Sequence, residues 1–396
     1  MLLYWLWFAL LPDFSALQKL ELLEHFSDPE DIYRKRSSDI EGLTEAQKDA
    51  FDNKDLSQAQ KIINICARKD IGILTFTDER YPKKLRHIYD PPFVLYYKGT
   101  LPDFDAQPTI GIVGTRKATA YGMNIARKFG SEIAACGGIV VSGGAKGGDA
   151  MAHQGALEAG GQTVAVLGSG VDVVYPTCNR RLFMDIEKNG CLISEFVPGD
   201  SPERWHFPRR NRIISGISNG ILVTEAPEKS GALITARDAT EQGRDVYVVP
   251  ANMDQPTFEG SNGLLRKGAI AVFSGWDIMS EYASLYPQTV QNRAVQFRSQ
   301  APAMKVAQQV ILPKPDKKGI DKRPTDAYIG IENKNTALSP EETSVLACMD
   351  TAPKPVDDII AQVGLPAASV LSILTKLALK GMVINHPGRL VSVRKQ

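Results

Sequence analysis

A chain of 396 residues should hold roughly two or three domains, and 43% hydrophobic with 23% charged residues is an ordinary globular composition. The formal net charge of +1 excludes a global attraction to nucleic acid, so any such binding must come from a local basic patch. The five cysteines form no Cys-x-x-Cys pair, which disfavours a disulfide framework and a zinc site and is typical of a reducing cytoplasm.

The N-terminal stretch Met1–Leu11 is almost entirely apolar. It is too short to span a bilayer, and the first lysine, Lys19, comes too late to form the basic start of a signal peptide. We therefore expect a buried helix and no membrane insertion. Further apolar residues at helical spacing, including Leu56–Lys69, predict a small helical domain over residues 1–70.

From residue 71 the pattern changes to short apolar runs that alternate with helical segments. The predicted strands are Ile71–Phe76, Phe93–Tyr97, Ile110–Val113, Ile139–Ser142, Thr163–Leu167, Cys191–Ser194, Gly220–Thr224 and Asp245–Val249. Helices are predicted at about 121–136, 149–159, 178–189, 208–218 and 230–242. This alternation predicts an α/β domain with a doubly wound, mostly parallel sheet that is covered on both faces.

Glycine-rich turns follow several of these strands. Glycines let backbone N–H groups approach a phosphate closely, and ligands of such sheets bind at the carboxyl ends of the strands. The candidate anion-binding residues in these turns are Gly114, Thr115, Arg116, Ser142, Gly143, Gly144, Lys146, Gly147, Ser230 and Gly231. Tight turns without a ligand are the alternative interpretation.

A basic stretch with interspersed aromatic residues lies between Arg204 and Gly216. Guanidinium groups bind phosphates, and aromatic faces stack on unpaired bases, so this composition suits a single-stranded nucleic acid. The candidates for DNA contact in this stretch are Arg204, Phe207, Arg209, Asn211 and Arg212. A solvated arginine cluster at a helix start is the alternative.

Two nucleotide-binding motifs are matched in part, but each lacks a required residue or spacing. Asp149 stands where the Walker A motif requires lysine, and the Rossmann dinucleotide fingerprint lacks its glycine spacing. Asp149 and His153 lie four residues apart and could touch, but we expect Asp149 to cap its helix. Glu225 follows a strand and has no evident partner, although it could pair with Arg116. We predict no catalytic residue, metal ligand or cofactor.

The C-terminal part is predicted to contain a flexible basic linker over 286–338 and a winged helix over 339–396. Four prolines and an excess of lysine and arginine between residues 293 and 334 mark the linker. Ser339-Pro340-Glu341-Glu342 predicts a capped helix start, and helices at Val356–Val363 and Ala367–Lys380 precede a hairpin around Pro387-Gly388. The helix Ala367–Lys380 occupies the position of the recognition helix in a DNA-binding winged helix, and it has few polar side chains suited to base edges. Contact with a protein and binding of DNA are therefore alternative roles for this domain.

Taken in order, these motifs resemble the DNA processing protein A (DprA, or Smf) family. The resemblance is carried over residues 71–285 by Gly114-Thr-Arg116, Ser142–Asp149, Tyr175-Pro176, Phe207–Gly216, Ser230–Thr235 and Gln242-Gly-Arg244. It implies an extended Rossmann-like domain that binds single-stranded DNA, with Arg116 on phosphate, Arg204 as a further basic residue and Phe207 on a base. The N-terminal domain would be of SAM or helix-hairpin-helix type, although Leu11-Pro-Asp-Phe14 lacks the glycines of a DNA-binding hairpin.

The resemblance further implies a cytoplasmic homodimer, joined through the Rossmann-like domain, that loads RecA recombinase onto DNA taken up in natural transformation. Single-strand-binding protein is a further candidate partner. We therefore expect sequence-independent binding of single-stranded DNA without a chemical step. An enzyme acting on a nucleotide or nucleoside phosphate and a duplex-binding regulator acting through the winged helix are the alternatives.

Overall fold

A computed structural model describes residues 1–290 and 339–393, apart from residues 353, 366, 381 and 387–389. The described residues form two compact units, one within residues 1–306 and the other within residues 307–396. The predicted linker lies outside the described residues from 291 onward. Its first residues pack on the α/β core, because Val290 is fully buried and the Tyr286 hydroxyl accepts a hydrogen bond from the Asn219 amide at 3.2 Å.

The N-terminal part of the first unit is helical, as predicted. Its helices are α1 (Leu2–Leu10), α2 (Ala16–Phe26), α3 (Pro29–Arg34), α4 (Glu45–Asp52) and α5 (Ser57–Lys69). Capping boxes at Ser15 and Thr44 begin α2 and α4. The Phe8 ring lies 5.4 Å from Phe93 of the α/β part, so the helices share a core with the sheet. Within the described residues, no helix has both the length and the apolarity needed to cross a bilayer.

A nine-stranded sheet forms the centre of the first unit. Its strands are β1 (Gly72–Thr75), β2 (Val94–Gly99), β3 (Thr109–Val113), β4 (Ile139–Ser142), β5 (Thr163–Val166), β6 (Gly190–Ser194), β7 (Gly220–Val223), β8 (Asp245–Val248) and β9 (Ile270–Ala271). They lie in the order β1-β2-β6-β5-β4-β3-β7-β8-β9, and only the pairs β1–β2 and β2–β6 are antiparallel. The predicted mostly parallel, doubly wound sheet is confirmed.

Helices cover both faces of this sheet. They are α6 (Lys83–Arg86), α7 (Ala120–Ala135), α8 (Gly148–Glu158), α9 (Arg180–Asn189), α10 (His206–Ile217), α11 (Gly231–Glu241), α12 (Glu259–Leu265) and α13 (Gly275–Glu281). Helices α7, α8 and α13 contribute to one apolar cluster, and α10 and α11 to another. After β3 the chain adds β4, β5 and β6 on one side of this strand, and then β7, β8 and β9 on its other side. The strand order therefore reverses at β3, and sheets of this kind bind ligands at the carboxyl end of the strand where the order reverses.

The second unit is a small α/β domain with the predicted winged-helix layout. It contains α14 (Pro340–Ala347), α15 (Val356–Val363), α16 (Ala367–Leu379), β10 (Lys354–Pro355), β11 (Val383–His386) and β12 (Leu390–Val393). The predicted capping box is confirmed, since the Ser339 hydroxyl accepts from the Glu342 N–H at 3.1 Å and the Glu342 carboxylate accepts from the Ser339 N–H at 3.0 Å. Lys380 lies 2.8 Å from Glu342, so part of the positive charge of this region is neutralised within the domain.

Candidate nucleic-acid interface

The turns after β3 and β4 touch each other at the carboxyl edge of the sheet. A Cβ added at Gly147 would lie 2.5 Å from the carbonyl oxygen of Thr115, and Gly147 has a φ of +81°. Only glycine combines this backbone conformation with so close an approach. The contact holds Arg116 beside the turn that carries Lys146, which is the arrangement that the sequence predicted.

Arg116 lies over the face of Phe207 from the first turn of α10. The guanidinium carbon is 4.7 Å from the centre of the Phe207 ring, a cation–π distance. Phe207 also lies 5.7 Å from the ring of Tyr175, and the two planes are tilted by 42°. We call the three contacting side chains, Arg116, Phe207 and Tyr175, the wall.

A cavity of about 190 Å³ opens on the tyrosine side of this wall. We call it the aromatic cavity, and it is lined by Arg116, Gly143, Ala145, Lys146, Gly168, Tyr175, Pro176, Phe207 and Arg210. A Cβ added at Gly168 would lie 3.0 Å from the Phe207 ring, so the turn after β5 forms the floor beneath the ring. Aromatic faces next to lysine and arginine suit a stacked base with its phosphate.

A larger cavity of about 410 Å³ lies on the opposite side of the wall, where α11 begins. We call it the α11 cavity. The predicted residues Gly114, Thr115, Arg116, Phe207, Asn211, Ser230 and Gly231 line it. Lys117, Lys229 and Thr235 line it as well, beside apolar side chains of β3, α10 and α11. Arg116, Phe207, Ala145 and Arg210 belong to both cavities, so the two share the wall.

Arg210 lines both cavities and is hydrogen-bonded to the sheet. Its side chain is 4% exposed, and Nη1 donates to the carbonyl oxygens of Gly143, at 2.7 Å, and of Val166. Burial lowers the pKa of Arg210 to about 10, with Asp149 raising it and Arg116 lowering it. The guanidinium therefore joins the ends of β4 and β5 to the helix that carries Phe207.

Asp149 holds the glycine turns in place. Its carboxylate accepts from the backbone N–H groups of Ala145, Gly114 and Gly143, and burial raises its pKa while Arg210 and these N–H groups lower it. The helix is capped by Gly147 rather than by Asp149, which lies in the first turn and not at the predicted N-cap. With its oxygens occupied by the turns, the carboxylate stabilises structure and is not placed to act as a general base.

His153 lies beneath the same turns and is fully buried. Its Nδ1 is 2.7 Å from the Thr163 hydroxyl, which itself donates to the Val140 carbonyl, so Nδ1 must be the protonated nitrogen. Burial and the nearby Arg210 lower the pKa of His153 to about 3. The ring is therefore neutral at ordinary pH. Among the described residues, no three His, Cys, Asp or Glu side chains come together to hold a metal ion.

Glu225 does not pair with Arg116. Its Oε2 accepts from the N–H and the hydroxyl of Thr119 at 2.9 and 3.0 Å, which fixes the start of α7. Within the described part of the chain, Arg116 forms no ion pair, and its one close partner is the Phe207 ring. Its charge is thus available to a ligand.

Arg212 and Arg209, both predicted to contact DNA, are paired with carboxylates in the structure. Arg212 lies 2.6 Å from Glu195 and 2.9 Å from Asp90, and only 12% of its side chain is exposed. Arg209 also reaches Glu195, at 3.1 Å. Both are occupied by carboxylates and line neither cavity on either side of the wall. Arg204 is exposed in the turn before α10 and lies outside both cavities.

Three residues of the predicted glycine turn, Ser142, Gly144 and Gly147, are packed against other parts of the protein. Ser142 is fully buried and donates to the Ile112 carbonyl at 2.6 Å, so its hydroxyl is not available to DNA. A Cβ at Gly144 would collide with the Phe183 ring at 2.8 Å, and the Gly144 carbonyl accepts from Asn179. With Gly147 packed on Thr115, these residues shape the turn and leave Gly143 and Lys146 to face the aromatic cavity.

Several residues at the two cavities were missing from the predicted set. Lys117 follows the predicted residue Arg116, and Lys229 precedes the predicted residue Ser230. Their position next to predicted residues is the feature of the sequence from which they could have been predicted. Tyr175 is 42% exposed beside Phe207. The signal for this residue was the Tyr175-Pro176 motif of the family resemblance, although its place beside Phe207 depends on the path of the loop after β5.

Comparison with protein families matches two segments of the chain. Residues 72–283 match the model of DNA recombination-mediator protein A, and residues 332–389 match that of the DprA winged helix domain. Protein Smf of Synechocystis sp. is 33% identical over 393 residues, which cover 97% of each chain. DNA processing protein DprA of Bacillus subtilis is 41% identical over 221 residues, covering 56% of this chain and 74% of that protein.

Solved structures agree with this assignment. The X-ray structure of DprA from Streptococcus pneumoniae matches with a TM-score of 0.59 at 34% identity, covering 70% of this chain and 96% of that one. The DprA structure from Helicobacter pylori, described in terms of its single-stranded DNA binding mode, matches with a TM-score of 0.50 at 30% identity, covering 55% of this chain and 97% of that one. The chain belongs to the DprA family of DNA recombination-mediator proteins.

Proposed function

We propose that the wall of Arg116, Phe207 and Tyr175 binds single-stranded DNA without sequence preference. The observation that carries this proposal is the Arg116 guanidinium 4.7 Å from the Phe207 ring, above turns rich in backbone N–H groups. A base that stacks on the aromatic face places its phosphate within reach of a cation. Stacking tolerates every base because every base has a π-face. The DprA of Helicobacter pylori, a relative whose structure addresses single-stranded DNA binding, supports the proposal.

The direct test is fluorescence anisotropy with a labelled oligonucleotide and unlabelled competitors. Single strands of different composition should compete about equally, and duplex of the same length should compete poorly. Preference for one duplex sequence would instead support a regulator that acts through the winged helix.

Arg116→Ala should reveal a phosphate contact through the salt dependence of binding. For single strands, log K falls with log salt by about 0.7 per phosphate that is neutralised. The variant should therefore bind every sequence more weakly, with a slope shallower by about 0.7. The measurement is a salt titration of oligonucleotide binding, with circular dichroism to confirm folding.

Arg209→Ala is the matched control for this titration. It removes a guanidinium from the same region, but one that is paired with Glu195 outside both cavities. Its slope should equal that of the unmodified protein. An unchanged slope in folded Arg116→Ala would remove Arg116 from the phosphate contacts and with it the proposed site.

We propose that the protein acts as a homodimer through its Rossmann-like domain. Strand β9 is an outer strand of the sheet, and exposed apolar side chains lie on it and next to it: Ile270 is 46% and Phe273 is 71% exposed. Edge strands and exposed apolar surface favour association. Two sites on one strand would also give avidity.

Phe273→Glu should convert the dimer to a monomer in light-scattering measurements. A short oligonucleotide should keep its affinity per site, whereas a long strand should lose the avidity of two sites. Tyr89→Glu, at an aromatic side chain that is 85% exposed, is the control and should remain dimeric. A dimeric Phe273→Glu protein would place the interface elsewhere.

We propose that the bound strand is handed to RecA recombinase in the cytoplasm during natural transformation, with single-strand-binding protein as a further partner. The family description as a recombination mediator supports this role. RecA filament formation on strands coated with single-strand-binding protein should accelerate when the protein is added.

We propose no chemical step, because Asp149 is engaged by backbone N–H groups and His153 is buried beneath the turns. Turnover of any member of a nucleotide panel would contradict this.

A further inference from the structure

The α11 cavity has more than twice the volume of the aromatic cavity, and stacking on Phe207 alone does not use it. Its volume is about 410 Å³, against about 190 Å³ on the other side of the wall. Apolar side chains from three elements, Val113, Ile214 and Ile234, line it. Ligand cavities commonly combine such apolar walls with a few placed polar groups.

Two polar groups in this cavity have unused hydrogen-bonding capacity. Thr235 is 1% exposed, and its hydroxyl makes no hydrogen bond with any described residue. Asn211 uses its Oδ1 to accept from Arg210 at 3.2 Å, which leaves the amide Nδ2 without an acceptor among the described residues. Neither atom is fully enclosed by protein, so both are open to the cavity and can hydrogen-bond a polar ligand there.

The mouth of the cavity is strongly basic. Arg116, Lys117 and Lys229 line it, and no ion pair involves them within the described part of the chain. The opposing charge, Asp149, is 6% exposed and already accepts from backbone N–H groups. Helix α11 also starts here, where the Ser230 hydroxyl accepts from the Ala232 N–H at 3.3 Å and the Gly231 N–H has no acceptor among the residues that the structure describes. Cations at a helix start bind anionic groups, and phosphate above all.

We propose that the α11 cavity is a second nucleotide subsite, which takes one nucleoside 5′-phosphate unit. The phosphate lies at Lys117, Lys229 and the start of α11, and the base or sugar lies inward against Ile214 and Ile234, within reach of Asn211 and Thr235. The Arg116–Phe207 wall then separates two neighbouring nucleotides. The inference rests on the proposed function, since it extends the same interface. The unit comes either from the bound strand or from a free nucleotide.

The test uses the full chain with labelled oligo-dT and with thymidine 5′-monophosphate. Thr235→Val keeps the shape of the side chain and removes the hydroxyl, and Lys229→Ala removes an exposed charge. Each should weaken binding of the ligand that occupies the cavity by about fivefold or more. Lys188→Ala, at an exposed lysine of α9, is the charge-matched control and should have no effect.

The two sources give different results. If the strand supplies the unit, both variants weaken oligo-dT binding, and the losses multiply with that of Tyr175→Ala, at a side chain that lines the aromatic cavity and not the α11 cavity. If a free nucleotide is the ligand, the monophosphate binds the protein saturated with oligo-dT, and the variants weaken that binding. Normal binding of both ligands by folded Thr235→Val and Lys229→Ala overturns the subsite while oligo-dT binding still supports the proposed function. Failure of the unmodified protein to bind oligo-dT overturns the proposed function itself.

Discussion

Replacing Arg210 with methionine is expected to lower the free energy of unfolding by about 3–5 kcal/mol. Methionine fills a similar volume, so the loss comes from electrostatics and hydrogen bonding rather than from a cavity. The carbonyl oxygens of Gly143 and Val166 would lose their buried donor, and Asp149 would lose the nearby cation. Denaturant unfolding followed by circular dichroism measures the change.

Arg209→Met provides the matched control, because it removes a neighbouring guanidinium from the same helix. Arg209 is 47% exposed, and its partner Glu195 would still be paired with Arg212. Its cost should stay below about 1 kcal/mol, as for exposed ion pairs. Adding Asp149→Asn to Arg210→Met should recover part of the stability, since it removes the uncompensated charge. A loss below about 1 kcal/mol for Arg210→Met would show that the buried guanidinium contributes little.

The central strands β3 to β7 could be predicted from the sequence because each is a short run in which every residue is buried. The prediction for β4, Ile139–Ser142, is identical to the observed strand, and all its residues are buried. The bounds of the five predicted helices agree to within two residues, since their apolar stripes have clear ends, whereas α6, α12 and α13 were not predicted. The turns after β3 and β4 could be placed because parallel strands bring their carboxyl ends to one edge.

The roles of the arginines could not all be predicted, because they depend on partners distant in sequence. Arg212 is paired with Asp90 and Glu195, which come from the loop before β2 and the end of β6. For Arg210 a signal did exist. It shares a helical face with Ile213, Ile214 and Ile217, all buried, and this spacing places it inward. Ser142 carried a similar signal, as the last residue of a strand predicted to be buried.

Replacing Phe207 with alanine is expected to weaken single-strand binding by about 1–3 kcal/mol, or roughly 5- to 150-fold in Kd. The ring is half-buried and stands between two cavities, so its loss removes the stacking surface and the support of the Arg116 guanidinium together. Anisotropy with oligo-dT, oligo-dA and oligo-dC measures the effect. The losses should be similar for the three, because stacking does not depend on base edges.

Trp205→Ala is the control for this experiment. It removes a larger aromatic side chain two residues earlier, one that is 58% exposed and packs 6.0 Å from Phe196 rather than on the wall. Its affinity should remain close to that of the unmodified protein. Since Arg116 rests on the ring, the double variant Arg116→Ala/Phe207→Ala should lose less than the sum of the single losses. Additive losses would mean that guanidinium and ring bind the strand independently, and a loss confined to one base would indicate recognition of a base edge in place of stacking.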